Sequence, residues 1–286
     1  DGELTGWENP FLITVSEGCP NDYRFTLNVT IRCENALDET DGTTYTFKGT
    51  VNEAVRSGFV LPSIIEEDMT LTGDRLYIIP RATVIQPGVT VTVEPGTHIQ
   101  FWSNDPSDPY AEEGIAFLRV EGNFFVKGTK ENPVYLYPSD LKSNFLLDFG
   151  EANDGQIRLE YADVTNLNQY DSNPSGTSGI GYAYGCTFRQ NYDRLYLHTM
   201  GNGVVRTTYH DQCYINIRLA QRCVFYKLTG TAIGYNKAYL CGKGTYDTCI
   251  FADCAVAKYP YSSTTNITLR NTVFLGNSFV DQTDPQ

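Results

Sequence analysis

The stretch VIQPGVTVTVEPGTHIQF, Val84–Phe101, contains two corners. Pro87-Gly88 and Pro95-Gly96 lie eight residues apart, and the segment between them, Val89–Val93, alternates apolar and polar side chains. This alternation is typical of a β-strand with one buried face. Pro-Gly is a turn signal, but the stretch contains no Asn-Gly or Asp-Gly pair of the kind that closes a β-hairpin. Short strands with corners and no hairpin signal predict a coil whose strands pair in parallel with those of the next coil.

A second stretch follows the same plan. GIAFLRVEGNFFVKGTKENPVYLYPS, residues 114–139, contains a short strand, Gly122, another strand, Gly128, and a third strand before Pro138. The pattern therefore predicts at least two successive coils of similar length.

The second half of the chain contains a repeat. The aligned segments are IRLEYADVTNLN (157–168), IGYAYGCTFRQN (180–191), IRLAQRCVFYKL (217–228), KGTYDTCIFADC (243–254) and ITLRNTVFLGN (267–277). A small or polar residue comes first, in the series Asp163, Cys186, Cys223, Cys249 and Thr272. Two residues later comes the series Thr165, Phe188, Phe225, Phe251 and Phe274, and three residues after that the series Asn168, Asn191, Leu228, Cys254 and Asn277. The steps are 23, 37, 26 and 23 residues, so the long step predicts an insertion of about 12 residues within 192–216.

This period predicts a right-handed parallel β-helix over residues 59–286, because coils of about 20–26 residues with three short strands are typical of that solenoid. Residues two apart in a strand face the same side, so the first two series share an inward face, which includes Asp163. We expect Phe188, Phe225, Phe251 and Phe274 to be buried and stacked. Asn at a corner tolerates the left-handed backbone conformation.

Residues 1–58 read as a separate antiparallel β segment. Alternating stretches at 11–16, 23–34 and 43–55 are separated by turn residues. They predict an immunoglobulin-like appendage, although three strands are too few for a closed sandwich. Cys19 and Cys33 flank one of these strands and could form a disulfide.

The motifs GVTVTVEPGTHIQF and VEGNFFVKGT, together with the repeats at 157–277, resemble β-helix modules of large secreted or cell-surface bacterial proteins in the pectate-lyase-like superfamily. The resemblance covers about residues 60–280, and the strands of residues 1–58 resemble immunoglobulin-like pieces that precede such helices. It implies the fold, but it leaves function open, because this superfamily holds lyases, hydrolases, tailspikes, adhesins and non-catalytic binding modules.

The composition limits the classes of partner that the chain can bind. The chain has 34 acidic and 21 basic residues and a net charge of −13, which argues against a nucleic-acid partner. No apolar stretch reaches the roughly 18 residues of a membrane span. A charged fraction of only 19% and 20 tyrosines suit an extracellular, secreted or cell-surface β protein.

Catalytic signatures are weak. Glu160 and Asp163 are candidates for an acid–base pair, but the motifs of the polysaccharide hydrolase and lyase branches are absent. We therefore expect a non-catalytic module that binds a polysaccharide, or a glycan or protein of a cell surface. Two alternatives stay open: a polysaccharide lyase or glycoside hydrolase, and a passive structural stalk of a larger surface protein.

Aromatic and basic side chains are the candidates for ligand binding, since exposed tyrosines on a flat face can stack on sugar rings. They are Trp102, Tyr110, Tyr182, Tyr184, Tyr226, Arg158 and Arg218. The two arginines occupy the same repeat position, which predicts an outward stripe.

The acidic residues of one loop and the cysteines each allow more than one role. Asp105, Asp108, Glu112 and Glu113 could hold Ca²⁺ as a cofactor or belong to a solvated surface loop. Cys186, Cys223 and Cys249 are expected to be small buried residues of a column. Cys213 and Cys241 are about one coil apart and could be bridged.

Overall fold

The structure is a computed structural model. It describes residues 19, 24–37, 44–54, 58–80, 82–102, 116–139, 144–148, 155–168, 180–189, 194–206, 213–228, 238–240, 243–258, 266–276 and 278–280. The chain divides into two compact units, Asp1–Gly58 and Phe59–Gln286. Within the ranges above, the secondary structure consists of strands and turns, without a helix.

The first unit contains a β-hairpin. Strands β1 (Arg24–Leu37) and β2 (Thr44–Ala54) pair antiparallel, from Arg24 opposite Ala54 to Leu37 opposite Thr44. The strands expected at 23–34 and 43–55 are thus present. The stretch 11–16 lies outside the described residues, so the immunoglobulin-like assignment remains a prediction.

The second unit is a solenoid of short strands. In chain order they are β3 (Gly58–Val60), β4 (Ile64–Ile65), β5 (Met69–Leu71), β6 (Leu76–Ile79), β7 (Ala82–Ile85), β8 (Thr90–Val93), β9 (His98–Phe101), β10 (Ala116–Val120), β11 (Asn123–Lys127), β12 (Val134–Pro138), β13 (Phe145–Asp148), β14 (Gln156–Glu160), β15 (Ala162–Thr165) and β16 (Leu167–Asn168). The later strands are β17 (Ile180–Tyr184), β18 (Thr187–Arg189), β19 (Arg194–Gly201), β20 (Val204–Arg206), β21 (Cys213–Gln221), β22 (Val224–Tyr226), β23 (Ala238–Leu240), β24 (Lys243–Asp247), β25 (Ile250–Ala252), β26 (Ala255–Lys258), β27 (Asn266–Arg270), β28 (Val273–Leu275) and β29 (Ser278–Val280).

These strands form three parallel sheets. Sheet I runs β3-β6-β9-β12-β15-β18-β20-β22-β25-β28, and sheet III runs β4-β7-β10-β13-β16. Sheet II runs β5-β8-β11-β14-β17-β19-β21-β23-β26-β29, with β24 and β27 branching from β21. Each early coil visits sheets III, II and I in turn, and its strands pair with those of the next coil. The predicted right-handed parallel β-helix is confirmed.

The core is built from the inward residues of all three sheets. In sheet I a continuous column includes Leu136, Val164, Phe188, Val205, Phe225, Phe251 and Phe274 in successive strands. Phe225 stacks on Phe251 with centroids 4.5 Å apart, and Phe251 stacks on Phe274 at 5.1 Å. Phe188, Phe225 and Phe251 are fully buried, but Phe274 is 38% exposed. The expected burial of Phe274 is wrong because it belongs to β28, the last described strand of sheet I.

The repeat alignment needs two corrections. The 37-residue step contains a whole coil, since Val205 pairs with both Phe188 and Phe225. The first repeat is also shifted by one residue: Asp163 pairs with Thr187, and Val164 takes the position aligned with Phe188. Asp163 therefore faces outward, contrary to the prediction.

The corners depend on residues in the left-handed backbone region. Gly88 and Gly96 have φ of 82° and 75°, so both Pro-Gly pairs are corners as predicted. In later coils the residue that directly follows each sheet II strand has a left-handed backbone and begins the corner to sheet I. These residues are Tyr161, Gly185, Asn202, Arg222, Thr248 and Asn271. A second corner uses Asn166, with φ 59°, rather than the expected Asn168, which lies in β16.

At four of the corners from sheet II to sheet I, the residue after the left-handed one directs its side-chain donor at backbone carbonyls. Cys186, Cys223 and Cys249 are buried, and each thiol points at the carbonyl two residues earlier and at a carbonyl of the preceding coil. The Thr272 hydroxyl makes the same pair of bonds, 2.8 Å to Arg270 O and 3.1 Å to Tyr246 O. These cysteines are structural parts of the turn, which satisfies buried carbonyls.

Candidate functional site

Three tyrosines meet on the outer face of sheet II. The rings of Tyr182 and Tyr184 are parallel within 1°, with centroids 6.4 Å apart. The ring of Tyr161, at the adjacent corner, meets Tyr184 edge-on at 5.7 Å and 84°. All three are partly exposed. The outward alternation of β17 places Tyr182 and Tyr184 on one face, as expected from the sequence.

Two glycines leave room for these rings. A Cβ on Gly185 would lie 2.6 Å from the Tyr161 ring, and a Cβ on Gly201 would lie 3.1 Å from the Tyr184 ring. Asn202 Nδ2 donates to the Tyr184 hydroxyl at 2.6 Å. Residues of the following coils therefore pack against the rings of Tyr161 and Tyr184 and bind the Tyr184 hydroxyl, so these two side chains are positioned before any ligand binds.

Charged groups border the rings. The Arg158 guanidinium lies 4.6 Å from the centroid of Tyr182, and its Nε donates to Glu160 Oε1 at 3.1 Å. The pKa of Tyr161 is raised by partial burial and by the nearby Tyr184, Glu131 and Glu160. We call Arg158, Glu160, Tyr161, Tyr182, Tyr184 and Asn202 the tyrosine cluster.

Arg218 lies elsewhere on the same sheet. Arg158 pairs with Tyr182, whose row continues through Thr199 to Leu219, so Arg218 is one position out of that row. Its Nη1 donates to His198 Nε2 at 3.0 Å. Both arginines face outward as predicted, but they do not lie one above another, because the row of Arg158 reaches Leu219 rather than Arg218.

A second aromatic surface lies on the outer face of sheet I. The imidazole of His98 stacks on the Tyr135 ring, with centroids 4.5 Å apart, and meets the Tyr137 ring edge-on at 6.0 Å. The Trp102 indole, 42% exposed, donates from Nε1 to Gln100 Oε1 at 2.9 Å. We call His98, Gln100, Trp102, Tyr135 and Tyr137 the aromatic cluster. It comes from β9, its C-terminal neighbour Trp102, and β12, which pair in parallel.

An ion pair adjoins the aromatic cluster. Arg189 Nη2 donates to Asp163 Oδ2 at 2.7 Å and Arg189 Nε to Asp163 Oδ1 at 2.9 Å. Asp163 pairs directly with Tyr135 in sheet I. Glu160, by contrast, lies on sheet II, on the other side of the Tyr161 corner. Asp163 and Glu160 therefore do not converge on one cleft, which removes the geometry of the candidate acid–base pair.

The aromatic Tyr226 lies further along sheet I. Its ring has the Arg206 guanidinium at 5.6 Å and the Lys227 ammonium at 5.6 Å. Tyr226 is separated from Tyr137 by several strands, so it does not join the aromatic cluster. The structure thus places the described ligand candidates in four separate places: Trp102 in the aromatic cluster, Arg158, Tyr182 and Tyr184 in the tyrosine cluster, and Arg218 and Tyr226 apart from both.

Several candidates lie outside the described residues. These are Tyr110, Asp105, Asp108, Glu112, Glu113 and Cys241. The Ca²⁺ site and the Cys213–Cys241 disulfide therefore remain predictions. Across the described ranges, no three His, Cys, Asp or Glu side chains come close enough to hold a metal ion. The same ranges hold no helix with the length and apolarity to cross a membrane.

Sequence reasoning missed the partners that turn single tyrosines into clusters. Tyr161, Asn202, His98, Tyr135 and Tyr137 were not among the predicted site residues. The last three could have been found, since Tyr135 and Tyr137 alternate in a predicted strand and His98 lies one coil earlier. Comparison of the chain with protein-family models, with curated proteins and with solved structures gave no match.

Proposed function

We propose that this chain is a non-catalytic β-helix module that binds a polysaccharide or cell-surface glycan through the aromatic cluster of sheet I. The observation that supports this most directly is the grouping of His98, Tyr135, Tyr137 and Trp102 on one outer sheet face. Aromatic faces bury the C–H face of a sugar ring, and a flat parallel sheet offers such faces side by side.

Polar groups next to the rings supply hydrogen bonds for sugar hydroxyls. The Gln100 side chain is oriented by the hydrogen bond from Trp102 Nε1. Asp163 lies one strand beyond Tyr135, and its partner Arg189 lies two strands beyond. Successive coils repeat at about 4.8 Å, so a linear glycan lying along the solenoid axis would meet equivalent positions in turn. The low charged fraction and the resemblance to β-helix modules support an extracellular, adhesin-like role in a bacterial surface or secreted protein.

The experiment is a glycan array with the full chain, followed by calorimetry on the glycan that binds best. Trp102→Ala and Tyr137→Ala should each weaken binding about 5- to 150-fold, since a stacked aromatic residue contributes of the order of 1–3 kcal/mol by burial. Tyr182→Ala, which removes a partly exposed tyrosine from sheet II, is the matched control and should bind as the unmodified chain does. Loss of binding in Tyr182→Ala alone would place the glycan on the wrong sheet and overturn the proposal.

A further inference from the structure

The tyrosine cluster of sheet II presents ring faces next to a carboxylate. Tyr182 and Tyr184 are parallel at 6.4 Å, and Tyr161 is nearly perpendicular to Tyr184. Ring faces carry negative electrostatic potential and attract cations, whether ammonium or guanidinium. Glu160, which pairs with Tyr184 in the sheet, adds a formal negative charge on the same face.

One cation already occupies part of this surface. Arg158 lies 4.6 Å from the Tyr182 centroid and 3.1 Å from Glu160 Oε1. The side chains of Arg158 and Glu160 are 55% and 37% exposed, so their pairing is a solvent-screened one that gains little free energy. A guanidinium held this weakly can be turned away by a competing cation.

Carboxylates lie in and beside the cluster. Glu131 and Glu160 both raise the pKa of the Tyr161 hydroxyl, Arg158 lies over the Tyr182 ring, and Lys127 pairs with Glu160 in the sheet. The whole chain carries a net charge of −13, which favours the approach of cations over anions. Once Arg158 is displaced, the Glu160 carboxylate and the ring faces of Tyr182 and Tyr184 are open to another cation.

We propose that the tyrosine cluster is a binding site for an organic cation, either an alkylammonium group or the guanidinium of a basic peptide, and that Arg158 fills it in the free protein. The cation stacks on Tyr182 and Tyr184 and takes over the carboxylate of Glu160. This site is independent of the glycan site on sheet I, and its ligand has the opposite requirement, a positive charge rather than hydroxyl groups.

Binding is measured by calorimetry and by saturation-transfer NMR with the full chain. Choline represents a free alkylammonium, and Nα-acetylarginine amide represents a peptide guanidinium. The neutral control is 3,3-dimethylbutan-1-ol, which has the shape of choline without its charge. At least one cation should bind about two- to fivefold more tightly than the neutral compound. The cation that binds more tightly identifies the source, and equal binding of the neutral compound, or no cation binding, would overturn the proposal.

The variants test the role of Arg158. Arg158→Ala should raise cation affinity about two- to fivefold, because it removes the internal competitor. Arg218→Ala removes the same charge from the same sheet without touching Tyr182, so it controls for the change in net charge. Equal effects of the two variants would show that only net charge matters and would refute the proposal.

Two further variants separate binding from folding. Glu160→Gln should weaken cation binding, while Tyr184→Phe, which keeps the ring and loses only the bond from Asn202, should retain it. Circular dichroism melting curves check that each variant is folded. Cation affinity that is unchanged in Glu160→Gln and lost in Tyr184→Phe would contradict a cation–π site, because it would assign binding to the hydroxyl.

Discussion

Arg189 donates hydrogen bonds to both carboxylate oxygens of Asp163, which lies in the preceding coil of sheet I, at 2.7 and 2.9 Å. The two residues are offset by two positions along their strands, since Asp163 pairs with Thr187 and Thr165 pairs with Arg189 in the sheet. The Arg189 pKa is raised by this hydrogen bonding with Asp163. The pair links two coils on the outer face and keeps Asp163 engaged away from Glu160.

We expect Arg189→Ala to lower the free energy of unfolding by about 0.5–1 kcal/mol, as for a well-formed surface pair with two hydrogen bonds. Arg206→Ala, one strand further along the same row, should change the free energy of unfolding less, since the Arg206 guanidinium lies over the ring of Tyr226 rather than against a carboxylate. Urea unfolding at low and at high salt measures both. A loss in Arg189→Ala that does not shrink at high salt would contradict an ionic contribution.

The phenylalanine column gives a graded stability test. Phe225 is fully buried and stacked on Phe251, so Phe225→Ala should cost about 3–5 kcal/mol through the cavity it leaves. Phe274→Ala should cost clearly less, because that side chain is 38% exposed. Denaturant unfolding of both variants gives the comparison. Equal costs would mean that Phe274 is covered in solution.

The fold was predictable from short-range pattern. Pro87-Gly88, Pro95-Gly96 and the alternating strand between them indicated coils, and the Phe repeats indicated stacking. The coil at Val205 was missed because it carries valine and glycine where its neighbours carry phenylalanine and cysteine. The shift at Asp163 arose because Thr165 and Val164 are equally compatible with an inward position, and only the pairing with Phe188 decides between them.

The site was less predictable because it depends on register between distant segments. Tyr182 and Tyr184 could be placed on one face from alternation alone. Tyr161 joins them only because it adopts a left-handed corner with φ 47°, a conformation that sequence reasoning assigns to Gly or Asn. Arg158 and Arg218 share a repeat position in the sequence, yet the paired strands place Tyr182 and Leu219 in the row of Arg158.

Gly185 offers a test of how the tyrosine cluster is held. Gly185 and Gly88 both have left-handed backbones, φ 64° and 82°, so alanine should cost about 1–2 kcal/mol of strain at either. Gly185→Ala should cost more than Gly88→Ala, because its Cβ would meet the Tyr161 ring at 2.6 Å whereas the space at Gly88 is open. Thermal unfolding compares the two. In a chain that also carries Tyr161→Ala, the extra cost of Gly185→Ala over Gly88→Ala should disappear. If this extra cost is undiminished, the Cβ clashes with a group other than the Tyr161 ring.

We expect no depolymerisation of pectin, alginate, xylan or starch by the full chain. Glu160 and Asp163 lie on different sheets, and Asp163 is bonded to Arg189, so they cannot act as a proton-transfer pair on one bond. Reducing-sugar release and the absorbance of unsaturated products, each with and without Ca²⁺, are the measurements. Product release that disappears in Glu160→Gln or Asp163→Asn would show that the chain is an enzyme.

Cys186 should make stability fall at alkaline pH. Burial raises the pKa of this thiol from its ordinary 9.0 to about 12 in the folded chain. The folded state therefore keeps the proton over a range in which the unfolded chain loses it. The stabilising contribution is fully present below pH 9 and is lost progressively as the pH rises towards 12.

The slope and its control follow from proton linkage. One retained proton corresponds to a loss of about 1.4 kcal/mol in the free energy of unfolding per pH unit. Cys186→Ser keeps a donor for the Tyr184 and Leu159 carbonyls but does not titrate in this range, so its stability should fall less steeply. Urea unfolding at about pH 8, 9, 10 and 10.5, values on both sides of the ordinary thiol pKa, measures the free energy of unfolding of the two chains. Because other thiols and tyrosines titrate identically in both chains, parallel slopes would show that Cys186 already ionises in the folded state, in conflict with its burial.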